Sequence, residues 1–236
     1  MFRYRFRVSI ALLLTFAVDS ASARSPPSQP SDIAVSAMLA SRDEAALGAA
    51  ATALSAACSD QRIAAICYRA AHAHYVRALL AMRGDRDAAT DALVACATTL
   101  APLGSDPALA GEAKALLSGC YGLSIALNPA KGMSLGPESA RLIDAALAAT
   151  PNSPRVHYFA AMRLARTPPA WGGDPAQALV HARRAQELLA DQKAAAVEGW
   201  GAAEVERMLG ELQAKASEQA TRKNCCLLYT SPSPRD

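Results

Sequence analysis

Aromatic side chains are scarce in this 236-residue chain, which holds two Trp, six Tyr and four Phe. A core consumes so few rings first, leaving little for an aromatic recognition surface. No stretch alternates apolar and polar residues at period two over a strand's length, which removes a β-sheet. There is no HExxH, no GxGxxG and no phosphate loop, and no GxSxG elbow is expected. Enzymes built on those devices are excluded, and without a nucleophile–base pair no enzymatic activity or cofactor is expected. Charge of one sign is lacking as well. Three arginines and one aspartate fall in residues 1–23 and one of each in residues 226–236, so the remainder carries a net charge of about +1. That near-neutrality argues against nucleic acid and anionic membrane surfaces as partners. No CxxC occurs among the six cysteines, so neither a redox motif nor paired zinc ligands are present.

The two ends differ from the middle. Arg3, Arg5 and Arg7 precede an apolar run from Ser9 to Val18, too short to span a membrane, and Ala21-Ser22-Ala23 is a small-x-small cleavage site. Residues 1–23 therefore have the form of a secretory signal peptide, and 24–31 (RSPPSQPS) that of a flexible leader. A periplasmic or secreted bacterial protein without a membrane anchor is expected. At the other end, CLLYTSPSPRD (226–236) has no alanine and no helical period. It back-translates without a break into a string that resembles a transposon-end adapter of sequencing libraries. Residues 221–236 are expected to be a disordered tail, with 226–236 foreign to the fold.

What remains is helical. Leu109, Ala113, Leu116, Cys120, Leu123 and Leu127 form a continuous stripe at helical spacing, as do Ala89, Leu93, Cys96 and Leu100, and Ala178, Ala182, Ala185 and Leu189. A capping residue followed by proline marks helix starts at Asp106-Pro107, Gly136-Pro137, Ser153-Pro154 and Asp174-Pro175. These signals predict helices over 32–58, 61–83, 86–101, 106–128, 137–150, 153–166, 174–190 and 198–220. They form an all-α domain of antiparallel hairpins over 32–220, meeting near Gly84, Lys131 and Gly173.

Two stretches also resemble a known family: PESARLIDAALAATPNSPRVHYFAAMRLARTPP and then WGGDPAQALVHARRAQELL, from Pro137 to Leu189. They resemble tetratricopeptide-like (TPR or Sel1-like) repeats, with Thr150-Pro151-Asn152 as the inner turn and alanines 140, 146, 160, 178 and 185 suited to close helix contacts. The run from Pro168 to Leu179 is similar to the Pro-x-x-x-Gly-Gly-Asp junction of exported bacterial members, including those associated with TRAP-type transporters. The resemblance implies a stacked α-solenoid. It also implies a non-enzymatic binding or scaffold module for a protein, peptide or small solute. The alternative is an accessory domain of a longer enzyme or transport component.

The residues that invite a functional reading are few. Tyr158, Phe159 and Trp200 are candidates to line an inner face, and Trp171 to form an aromatic lip beside the close-approach backbone of Gly172 and Gly173. The structural reading of that junction is plainer: the glycines supply positive φ, Asp174 caps the next helix ahead of Pro175, and Trp171 covers the hairpin seam. His72 and His74 lie two apart, so on a helix they point away from each other and cannot share an ion. His157 and His181 read as isolated, and no metal site is expected. Cys58, Cys67, Cys96 and Cys120 permit two disulfides in an exported chain, or four buried thiols. Cys58–Cys67 is the favoured pair, because it would bridge a hairpin near its turn.

Overall fold

The computed structural model describes residues 43–193 and 200–229, with residues 37, 38 and 41 before them; the signal peptide expected over 1–23, the leader expected over 24–31 and residues 230–236 of the expected tail lie outside the described residues. Every regular element among the described residues is helical. In chain order they are α1 Glu44–Gln61, α2 Ala64–Ala81, α3 Arg86–Leu100, α4 Ala110–Leu127, α5 Gly132–Ala149, α6 Pro154–Arg166, α7 Pro175–Lys193 and α8 Ala202–Tyr229. Short 3₁₀ turns at Ala101–Ser105, Pro129–Lys131 and Pro169–Trp171 join three of the pairs.

Capping chemistry sets most of the starts. The carboxylates of Asp43 and Asp85 accept from the N–H of Ala46 and Ala88, each at 2.9 Å, and so close the first turns of α1 and α3. Ser153 caps α6 with its hydroxyl and Pro154 takes the first helical position. Three boundaries depart from the sequence expectation. Asp106 accepts from Ala108 and Leu109, both at 2.9 Å, and so organises a lead-in turn, with α4 beginning only at Ala110. Helix α5 begins at Gly132, not at Pro137, which lies inside it. The start is written instead at Asn128-Pro129, where the Asn128 side chain accepts from Ala130 and the 3₁₀ turn runs directly into the helix. The carbonyl that Pro137 leaves without its helical donor belongs to Met133, whose side chain is exposed, so water can satisfy it. Finally, α8 continues through residues 221–229, where a disordered tail was expected.

Consecutive helices pack as antiparallel neighbours, most extensively across the turns α2–α3, α4–α5 and α6–α7 and between α1 and α2. The segments near Gly84, Lys131 and Gly173 are thus the tight hairpin turns themselves, and not seams between hairpins. Even-numbered helices also touch their even neighbours, α2 with α4, α4 with α6 and α6 with α8, so they form one continuous row. The starts of that row fall at residues 64, 110, 154 and 202, intervals of 46, 44 and 48.

One core runs along the row. The predicted stripes supply it: Ala113, Leu116, Cys120, Leu123 and Leu127 of α4 are buried, as are Ala89, Leu93, Cys96 and Leu100 of α3. Small residues decide how closely the helices approach. A Cβ on Gly119 of α4 would sit 2.6 Å from the Phe159 ring, and one on Gly111 would sit 2.0 Å from the Thr150 hydroxyl. Buried Ser118 and Ser139 bond hydroxyl to hydroxyl at 2.8 Å, which satisfies both where α4 meets α5.

Two disulfides tie the N-terminal half. Cys58 and Cys67 join α1 to α2 across the turn, with Cα atoms 4.8 Å apart, and Cys96 and Cys120 join α3 to α4. In the chain-entropy treatment, a loop as short as that between residues 58 and 67 contributes about 2–3 kcal/mol. Thermal unfolding with and without reductant should differ accordingly. The Cys58→Ser/Cys67→Ser double variant should melt lower than the parent under oxidising conditions and match it more nearly under reducing ones.

Candidate functional site

The even row carries a buried polar and aromatic centre. Phe159 on α6 is enclosed by Tyr75 of α2 at 5.5 Å, Tyr158 at 5.1 Å and Trp200, just before α8, at 5.8 Å between ring centroids. The Tyr75 hydroxyl donates to the Met162 sulfur at 3.5 Å. Burial pushes the Tyr75 hydroxyl well above its usual pKa and that of Tyr158 up to about 12, so both stay neutral donors.

Beside the rings sits Arg155, at the start of α6. Its guanidinium donates to Glu112 of α4 at 2.9 Å and to the backbone carbonyl of Trp200 at 3.3 Å, and lies 5.3 Å from the Trp200 ring centroid. The second Glu112 oxygen accepts from the Ser153 hydroxyl at 2.8 Å. Both charged side chains are more than four-fifths buried, so the pair is screened far less than a surface one. His72 of α2 stacks on the other side of this group, its ring 4.1 Å from Trp200. Burial and then the Arg155 charge lower its pKa to about 3. His72 is therefore a neutral core ring.

The sequence-derived candidates separate into two places. Tyr158, Phe159 and Trp200 come together, but at 5%, 1% and 3% exposure they fill the core and do not line an open face. Trp171 stands apart and is 65% exposed, so it does not cover the seam as its structural reading expected. The junction around it is rigid all the same. Gly172 has φ +85°, and a Cβ on Gly173 would fall 1.7 Å from the Thr167 carbonyl oxygen. Asp174 donates its N–H to Leu164 and caps α7 by accepting from Ala176 and Gln177 at 2.9 and 3.0 Å. Pro175 follows as the first residue of the helix.

Histidine placement corrects one expectation. His157 and His181 are paired, with Nδ1 to Nδ1 at 2.9 Å, while His157 Nε2 lies 2.9 Å from the Pro151 carbonyl. A carbonyl only accepts, so His157 Nε2 carries a proton, and in the tautomer with Nδ1 bare that nitrogen accepts from the His181 Nδ1–H. Burial and the neighbouring His157 lower the His181 pKa. His74 faces away from His72 and bonds Ser55 at 2.8 Å. No GxSxG elbow was expected, yet Gly132-Met133-Ser134-Leu135-Gly136 does spell GxSxG. It opens a helix after a 3₁₀ turn, and the Ser134 hydroxyl donates to Lys131 O at 3.1 Å, so it is not a nucleophile elbow.

A concave site lies elsewhere, at the seam between the α2–α3 and α4–α5 turns. It holds about 360 Å³ between Leu93 and Val94 of α3 and Leu127 of α4. Arg86 and Lys131 stand at its rim with Asp87, and Thr90, Ser124 and Asn128 complete the wall. No signal at the level of periodicity could have joined these, because they come from two different turns.

No protein-family model matches this chain, and no curated protein matches it. Among solved structures, the HusA haemophore from Porphyromonas gingivalis is similar over 85% of this chain and 96% of its own, at 24% identity and a TM-score of 0.53. That likeness supports the all-helical fold.

Two outcomes follow from the geometry. Asp174→Ala should cost about 0.5–2 kcal/mol and Asp174→Asn almost nothing, measured as urea midpoints, because asparagine caps nearly as well. For His72 the folded pKa lies below the unfolded one, so the unfolded chain binds more protons between about pH 6.5 and pH 3. Stability should therefore be full above pH 6.5 and fall by about 1.4 kcal/mol per pH unit below it. His72→Phe should flatten that acid limb, and an unchanged limb would move its origin to another group.

Proposed function

We propose that this chain is a non-enzymatic binding protein, exported from a bacterial cell and built of tetratricopeptide-like hairpins. It works by holding a small ligand or a protein partner in the periplasm or outside the cell. The observation that carries this reading is the near full-length likeness to a haemophore, itself a binding protein. Three features add support. The even helices form a row, as the inner helices of such repeats do. The Gly-Gly-Asp junction is built as a rigid turn. No helix among the described residues is long and apolar enough to cross a membrane. The 44–48-residue intervals exceed the 34 residues of a standard repeat.

Haem is the first ligand to test, and the histidines constrain how it would bind. His72 is enclosed, His74 is bonded to Ser55, and His157 is held at both nitrogens. His181 engages His157 through Nδ1 only, but no histidine lines the cavity of about 360 Å³, so a tetrapyrrole seated there would be held by apolar and ionic contacts without an iron–histidine bond, and the cavity would not enclose it whole. Titration of the purified chain with haemin, followed by absorbance, should give a saturable one-to-one change. Iron-free protoporphyrin should bind within a few-fold of haemin. A histidine-ligated spectrum, or loss of binding without iron, would overturn this mode. Absence of saturable binding to either would remove haem as the cargo.

A further inference from the structure

We propose that the seam between the α2–α3 and α4–α5 turns is a binding site for a small organic anion with an apolar body, of the carboxylate class. The proposal is independent of haem as cargo. It stands on the donor and acceptor inventory of the cavity. Val94 supplies the apolar face, since it remains 59% exposed although it lies on a helix packed on both sides, and the buried Leu93 and Leu127 back it from the core. The two hydroxyls of the wall spend their protons on their own helices: Thr90 donates to Arg86 O and Ser124 to Cys120 O. They can only accept from a ligand.

The donors that face the cavity are therefore amide and cationic. Asn128 has its oxygen engaged by the Ala130 N–H, which fixes the side chain and leaves its NH₂ for a ligand. Lys131 presents an ammonium from the 3₁₀ turn. Arg86 crosses the seam to the Leu127 carbonyl with one nitrogen, which holds its guanidinium in place and caps the end of α4. Two cations face one carboxylate, Asp87, so the rim is net positive in a chain that is nearly neutral elsewhere. A neutral apolar ligand would leave these donors unsatisfied, and a bare inorganic anion would leave the Val94 wall in water. A carboxylate with a short aliphatic or aromatic tail satisfies both. The volume of about 360 Å³ falls at the small end of ligand pockets, which fits such a molecule better than a peptide.

Octanoate is the probe, with octanol as its uncharged counterpart, each titrated into the full chain and followed by ¹H–¹⁵N chemical shifts. Octanoate should shift residues 86–94 and 124–131 first, including the Asn128 side-chain amide, and octanol should bind about tenfold more weakly or not at all. Lys131→Glu and Val94→Asp change exposed groups and should keep the parent's melting temperature while weakening octanoate about tenfold each. Equal affinity for octanol and octanoate would overturn the anion assignment. Shifts spread over the surface, or full affinity in both variants, would overturn the site. Haemin binding without octanoate binding would leave the proposed function standing and this inference refuted, and octanoate binding without haemin binding would remove haem as the cargo and leave this inference standing.

Discussion

Phe159 seated against Gly119 is the contact on which the array turns. The ring lies where a Cβ on Gly119 would be 2.6 Å away, so α4 and α6 approach at a distance that only glycine permits. Tyr75 reaches the same point from α2 and Trp200 reaches it at the start of α8. Four elements of the even row thus meet on one side chain that is 1% exposed. Edge-to-face pairs of this kind contribute about 0.5–1.5 kcal/mol each beyond the area they bury. Their placement matters more than their sum. A stacked array has only neighbour contacts to hold it, and here one cluster spans three successive even-helix interfaces.

The Arg155–Glu112 pair adds direction to that packing. Apolar contacts alone would tolerate a slide of α6 along α4 by part of a turn. An arginine that must reach a carboxylate on α4 and a carbonyl at Trp200 fixes both the register of α6 and the entry of α8. Desolvating these charges costs free energy, and bonds to the carboxylate from Arg155 and Ser153 offset it. The stacked His72 completes the arrangement, since a neutral imidazole can lie against Trp200 beside a cation and a charged one could not.

Much of this fold was legible because the sequence repeats simple signals. The stripe from Leu109 to Leu127 marked a buried helix face, and Asp174 with Pro175 marked a capped start that the structure contains. Boundaries failed where two cap-like dipeptides competed. Asn128-Pro129 and Gly136-Pro137 are both acceptable starts, and only the 3₁₀ turn feeding into Gly132 shows that the first prevails. The hairpin units were misassigned for a related reason. Periodicity locates helices but carries no term for which neighbours pack more extensively. Pairing of His157 with His181, 24 residues apart on adjacent helices, was likewise invisible, since it depends on how α6 and α7 face each other.

The aromatic cluster also determines what kind of recognition remains open to this protein. Its construction takes Tyr68, Tyr75, Tyr158, Phe159 and Trp200 into the interior, and among the described rings Trp171 is the large one left mostly exposed. Among the described residues the surface is poor in rings, so the proposed recognition rests on an aliphatic face with placed charges. The seam between the first two even-to-odd turns has that composition, with Val94 beside Lys131 and the anchored guanidinium of Arg86. It arises because stacked hairpins bring successive turns side by side. Residues 86–94 and 124–131, remote in sequence, then share a wall without altering the core beneath. Specificity in this architecture can vary at the turns while the Gly119–Phe159 contact stays constant.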